Sequence, residues 1–142
     1  MNCVLDACAM IALLKAEPGE DVVWAHLLDP GNACYAHALN LCEVYYHFRR
    51  NIGEAEADGA IEDLRYLGVV ERSDFDETFW KEAGALKAGG HIALADCVAV
   101  ALTNRVGGTV LTSDHGEFDP VAAAGIAPLF LSGNSLISEK KP

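Results

Sequence analysis

The chain has 142 residues, 51% hydrophobic and 22% charged, with 21 acidic against 10 basic side chains and a formal net charge of −11 at pH 7. This composition excludes a disordered chain and suits one globular domain with a core of its own. The acid excess excludes a general nucleic-acid-coating protein, and no apolar run approaches the ~20 residues of a membrane span.

Residues 2–6 predict a short buried strand, followed by a helix over 7–15 and punctuation at Glu17-Pro18-Gly19. A helix over 20–29 leads through the turn Pro30-Gly31-Asn32 to a second strand at 33–36. In the next helix, 40–51, Leu41, Val44, Tyr45 and Phe48 recur at core spacing, while Asn40, Glu43, His47 and Arg50 share another face. A helix over 54–67 stops at Gly68, and a strand at 69–72 precedes a helix over 76–88 that Gly89-Gly90 ends. The helix at 93–106 is apolar on nearly every side and is expected to be buried, with Gly107-Gly108 as its cap. A strand at 109–112, a short helix at 120–124 and a last strand at 128–131 complete a domain spanning residues 1–131, and 132–142 read as a polar tail. Tyr45, Phe48, Phe79 and Trp80 fit core spacing better than a base-stacking platform. Short apolar strands alternating with helices argue for a parallel sheet covered on both faces.

Four acids sit where acids are costly. Asp6 ends the apolar run Cys3-Val4-Leu5, Glu43 lies in Asn40-Leu41-Cys42-Glu43-Val44, Asp96 interrupts the apolar stretch 92–101, and Asp114 closes Thr109-Val110-Leu111-Thr112-Ser113-Asp114. No Lys or Arg stands beside any of them in sequence. A carboxylate at the edge of a core needs a partner, and a divalent cation is the simplest one all four could share. Asp6 and Asp114 stand at the carboxyl ends of predicted strands, where sheets of this class bind ligands. The ordinary readings are a helix N-cap for Asp6, a turn residue for Asp114 and a solvated helix position for Glu43; for Asp96 the ordinary reading, stabilisation by the helix dipole in a first turn, is the weakest. Five cysteines lie mostly in apolar runs and are expected to be reduced, and Cys34-x-x-His37 lacks the second half of a zinc site.

These four blocks, with Phe118 following, resemble the conserved blocks of PIN-domain ribonucleases, and among them the VapC-type toxins of bacterial toxin–antitoxin pairs. The likeness runs from Asn2 to about Leu131. It implies a three-layer α/β/α sandwich around a central, mainly parallel sheet. It also implies Mg²⁺ or Mn²⁺ held by Asp6, Glu43, Asp96 and Asp114, with Glu117 as a further ligand. The implied activity is metal-dependent cleavage of an RNA, such as a transfer RNA or ribosomal RNA loop. A homodimer is implied, silenced by a small antitoxin whose tail covers the groove. One position departs from the family's habit: Cys8 stands where a polar residue often supports the site.

Around this set, Arg50 is a candidate phosphate clamp two turns beyond Glu43, Lys15 a candidate RNA contact, and Ser113 and Thr112 candidate hydrogen-bond donors to a ligand. The reaction expected is metal-assisted phosphodiester hydrolysis. A non-catalytic PIN-like binding or regulatory module is the alternative. An aspartyl phosphotransfer protein fits poorly, because Asp6-Ala7-Cys8 lacks the second aspartate of the relevant phosphatases and residues 106–139 contain no Lys. The N-terminus has no basic stretch leading into a long hydrophobic segment, so the protein is expected to be cytoplasmic, with no membrane contact.

Overall fold

In the computed structural model, β1 (Asn2–Leu5), α1 (Ala7–Leu14), α2 (Glu20–Leu28), β2 (Ala33–His37) and α3 (Ala38–Asn51) are followed by α4 (Glu54–Tyr66) and β3 (Val70–Arg72). Then come α5 (Glu77–Ala88), α6 (Leu94–Val106), β4 (Thr109–Thr112) and β5 (Leu129–Phe130). The structure describes residues 1–112 and the strand at 129–130. The expected helix at 120–124 and tail at 132–142 lie outside the described residues.

The five strands form one sheet in the order β3-β2-β1-β4-β5, and every pairing is parallel. In register Cys3 faces Cys34 and Val4 faces Val110, so side-chain alternation assigns each face its helices. Cys3, Leu5, Cys34, Ala36 and Leu111 pack with α1 to α4. Val4 and Val110 pack with α5 and α6. The result is the expected three-layer α/β/α sandwich. Sandwiched between the sheet and α5, α6 is buried at every position from Cys97 to Thr103, as its all-round apolar sequence required.

Local differences from expectation have identifiable causes. Helix α3 begins at Ala38, not at residue 40, because the His37 ring caps it: Nδ1 accepts from the Leu39 N–H at 3.0 Å. Gly107 closes α6 in the left-handed region at φ 68°, and Gly108 then passes so close to β1 that a Cβ would lie 2.3 Å from the Asn2 carbonyl oxygen. Phe48 and Phe79 are buried as expected, but Trp80 is 43% exposed with Lys81 Nζ 5.9 Å from its ring centroid. None of the five cysteines is in a disulfide, as expected. Among the described residues no helix is long and apolar enough to cross a membrane.

Candidate active site

The strand order turns back between β1 and β4: from β1 the chain builds outward to β2 and β3 on one side, then to β4 and β5 on the other. A crevice opens beyond the carboxyl ends of the strands at such a point. Helices α1 and α3 start from strand carboxyl ends, and α6, which feeds β4, also begins at that rim. Three helix N-termini therefore meet there. The helix dipoles favour negative charge there.

Asp6 is the first acid at this rim, 1% exposed. It leaves the sheet in an extended conformation, its N–H directed to the Leu111 carbonyl at 3.3 Å, and its Oδ1 accepts from the Ala9 N–H at 2.8 Å. The N-cap expected of Asp6 is therefore present, and the same carboxylate stands at the rim. Cys8, half-buried, lies in the first turn of α1.

Glu43 is half-buried on α3, and burial raises its carboxyl pKa while a hydrogen bond from Asn40 opposes the shift. Asn40 is fully buried, and its Nδ2 donates to Glu43 Oε1 at 3.3 Å and to the Ala95 carbonyl at 3.2 Å. This amide therefore spans α3 and α6 beside Asp96. Sequence reasoning put Asn40 on the Glu43 face without giving it a role; an amide one turn before a site acid was the available signal. Asp96, half-buried, sits in the first turn of α6, its N–H bonded to the Ala93 carbonyl at 3.0 Å.

The other expected residues divide. Thr112 is buried at the end of β4, at the rim. Arg50 is exposed on α3, its guanidinium 5.4 Å from the Tyr46 ring centroid. Lys15 follows the far end of α1, which runs away from the rim for roughly 12 Å, and it pairs with Glu17 at 3.5 Å. Ser113, Asp114 and Glu117 lie outside the described residues. Among the described residues no three His, Cys, Asp or Glu side chains form a group that could hold a metal ion. Asp6, Glu43 and Asp96 share a rim without constituting a metal-binding group by themselves.

The PIN domain family model matches residues 3–124. Solved structures give the same fold at low identity. VapBC-1 from nontypeable Haemophilus influenzae is 17% identical over 92% of this chain and 98% of that chain, with a TM-score of 0.72. VapBC2 from Rickettsia felis, solved with a DNA fragment from its promoter, is 14% identical over 90% and 97%, with a TM-score of 0.71. VapC20 from Mycobacterium tuberculosis, a toxin cleaving the sarcin-ricin loop, is 14% identical over 89% and 98%, with a TM-score of 0.70. No curated protein matches the sequence. The family match covers most of the chain and contains every acid-bearing block, so this chain belongs to the PIN domain family.

Proposed function

We propose that the protein is a divalent-metal-dependent endoribonuclease and the toxin of a toxin–antitoxin pair. The observation that carries this reading is the delivery of Asp6, Glu43 and Asp96 by three helix starts to the rim where the strand order turns back. The donor set contains oxygen and no imidazole, which suits a hard cation such as Mg²⁺ or Mn²⁺. The raised carboxyl pKa of Glu43 fits the same ion, because an ionised, half-buried carboxylate gains from a nearby cation. Asp6, Glu43, Asp96 and Asp114 would hold it, with Glu117 in support. When bound, the cation supplies activation of water and neutralisation of charge on the phosphodiester.

The chain's own residues supply the rest. Converging helix N-termini favour the phosphate, and Arg50 offers a guanidinium to a flanking phosphate. Thr112 offers a hydroxyl at the end of β4, and Ser113, next in sequence, is a second candidate donor. A net charge of −11 keeps affinity for free RNA low without the metal and favours a basic protein partner. The antitoxin assignment draws on the VapBC neighbours. The open groove lined by Leu13, Leu14, Trp24 and Tyr66 beside Asp63 suits the apolar face of a basic partner helix. A homodimer and a structured RNA loop as target belong to the same reading.

The test is cleavage of total cellular RNA by purified protein with Mg²⁺ or Mn²⁺, run beside EDTA and Asp96→Asn controls. Discrete fragments that vanish in both controls are expected. No cleavage, together with no divalent-ion binding by calorimetry, overturns the proposal.

A further inference from the structure

Asn40 is a polar side chain with no solvent exposure. Its two neighbours at hydrogen-bond distance, Glu43 Oε1 and the Ala95 carbonyl oxygen, are both acceptors. Chemistry therefore fixes the orientation of the amide: nitrogen faces both, and each N–H has one taker. The carbonyl oxygen is then turned away, and Oδ1 is buried with no hydrogen-bond partner among the described residues. A side chain kept for packing alone would not strand a buried acceptor; an apolar side chain of the same branched shape avoids that cost. What the amide provides in return is a tie between two elements at the rim. One N–H holds the first oxygen of Glu43. The other holds the backbone immediately before Asp96.

We propose that Asn40 is a positioning residue, tying the Glu43 carboxylate to the first turn of α6 so that Glu43 and Asp96 are presented together to a divalent cation. This rests on the metal-dependent reading above, and it adds a residue that touches neither metal nor substrate. Side chains that orient metal ligands from behind typically carry a 10- to 100-fold effect on metal affinity. Asn40 holds only Oε1; among the described residues Oε2 of Glu43 has no hydrogen bond. The carboxylate is anchored at one oxygen and available at the other.

The experiment compares wild type with Asn40→Leu, which keeps the branched outline and removes both N–H donors, and with Val44→Ala, which loosens α3 at a buried position one residue beyond Glu43. Mn²⁺ alone is the probe, by calorimetry, with melting temperature measured on the metal-free proteins. Asn40→Leu is expected to lose about tenfold or more in Mn²⁺ affinity with little change in melting temperature. Val44→Ala is expected to melt earlier and keep near-wild-type affinity. Hydrogen exchange at the Asp96 and Cys97 amides of metal-free Asn40→Leu should quicken, because the α6 first turn loses its tie. If RNA is cleaved, kcat should fall by a similar factor with KM held.

Wild-type Mn²⁺ affinity in folded Asn40→Leu overturns the proposal. So does a loss no larger than that of Val44→Ala. If Asn40→Leu does not fold, Asn40→Ser carries the same comparison. Failure of the parent reading looks different: wild type itself binds no Mn²⁺, or Glu43→Gln and Asp96→Asn leave binding unchanged, and both readings then fall together.

Discussion

The His37 imidazole stacks on the Phe79 ring, with centroids 5.4 Å apart and 17° between the planes, and joins the end of β2 to α5. The same ring caps α3 through Nδ1 and donates from Nε2 to the Asp74 carbonyl at 2.8 Å. These partners call for the tautomer with its hydrogen on Nε2. Three contacts converge on one side chain, so His37→Ala should cost about 2–3 kcal/mol, the sum of a lost cap, a lost hydrogen bond and a lost ring contact. His37→Asn should recover the cap part alone. Urea unfolding of both variants checks this; an Ala variant within 0.5 kcal/mol of wild type, in roughly the range of ordinary surface changes, counts against it.

The cap made by Asp6 and its proposed role in holding the metal can be separated. Asn is as good an N-cap as Asp, so Asp6→Asn should hold α1 and leave stability nearly unchanged while RNA cleavage falls at least about 100-fold. Asp6→Ala removes the acceptor for the Ala9 N–H and should also cost about 1 kcal/mol. Equal stability of the two variants would show that the cap contributes nothing.

Glu43 makes stability depend on pH in a definite sense. Burial raises its folded carboxyl pKa, so the folded state holds that proton more tightly than the unfolded chain. Below the unfolded pKa the residue is neutral in both states and makes no difference. Above the raised folded pKa its ionised form costs stability. Glu43→Gln should therefore stabilise the metal-free protein at neutral pH. That gain should shrink as pH falls through the ordinary glutamate range, while metal binding is lost throughout. Stability curves at pH 4 and pH 7 decide it.

Asp74 works in the opposite direction. Arg72 holds it with two hydrogen bonds at 2.8 Å and Arg105 with another at 3.2 Å, and together they depress its carboxyl well below the usual range. Its contribution is fully present above the ordinary aspartate pKa and fades as pH falls below it toward the depressed folded value. Asp74→Ala should cost roughly 1–2 kcal/mol at pH 7, a modest figure because Arg72 and Arg105 are about a third exposed. The variant's stability should also fall less steeply in acid. A parallel acid limb in wild type and variant would refute the assignment.

Two glycines should respond oppositely to alanine. At Gly108 the new Cβ meets the Asn2 carbonyl oxygen at 2.3 Å and its carbon at 2.8 Å, so β1 and β4 must part, at a cost of about 2 kcal/mol or more. At Gly59, inside α4, nothing lies within 4 Å, and alanine should stabilise by about 0.5–1 kcal/mol. Melting temperatures of the two variants should move in opposite directions.

The sheet was legible because β1, β2 and β4 are short apolar runs and α6 is too apolar to be a surface helix. The rim was legible at Asp6 and Asp96 because a charge in an apolar run has few harmless explanations. Glu43 was harder: on α3 it resembles any solvated helix acid until Asn40 is seen beside it. The start of α3 was missed because histidine is an uncommon N-cap and its partners, Asp74 and Phe79, are far away in sequence. Trp80 was misplaced because helical spacing specifies a face without specifying whether a neighbouring element covers it. Lys15, a candidate RNA contact, follows a helix that leads away from the rim, which the sequence alone did not reveal.

Because Asp6 Oδ1 is bonded to the Ala9 N–H, starting α1 and installing the first acid are a single event. A nascent or partly unfolded chain in which this turn has not formed lacks the first of its rim acids in place. If the protein is a nuclease, it is harmless to its host's RNA until it has folded, with no separate safety device required for that interval.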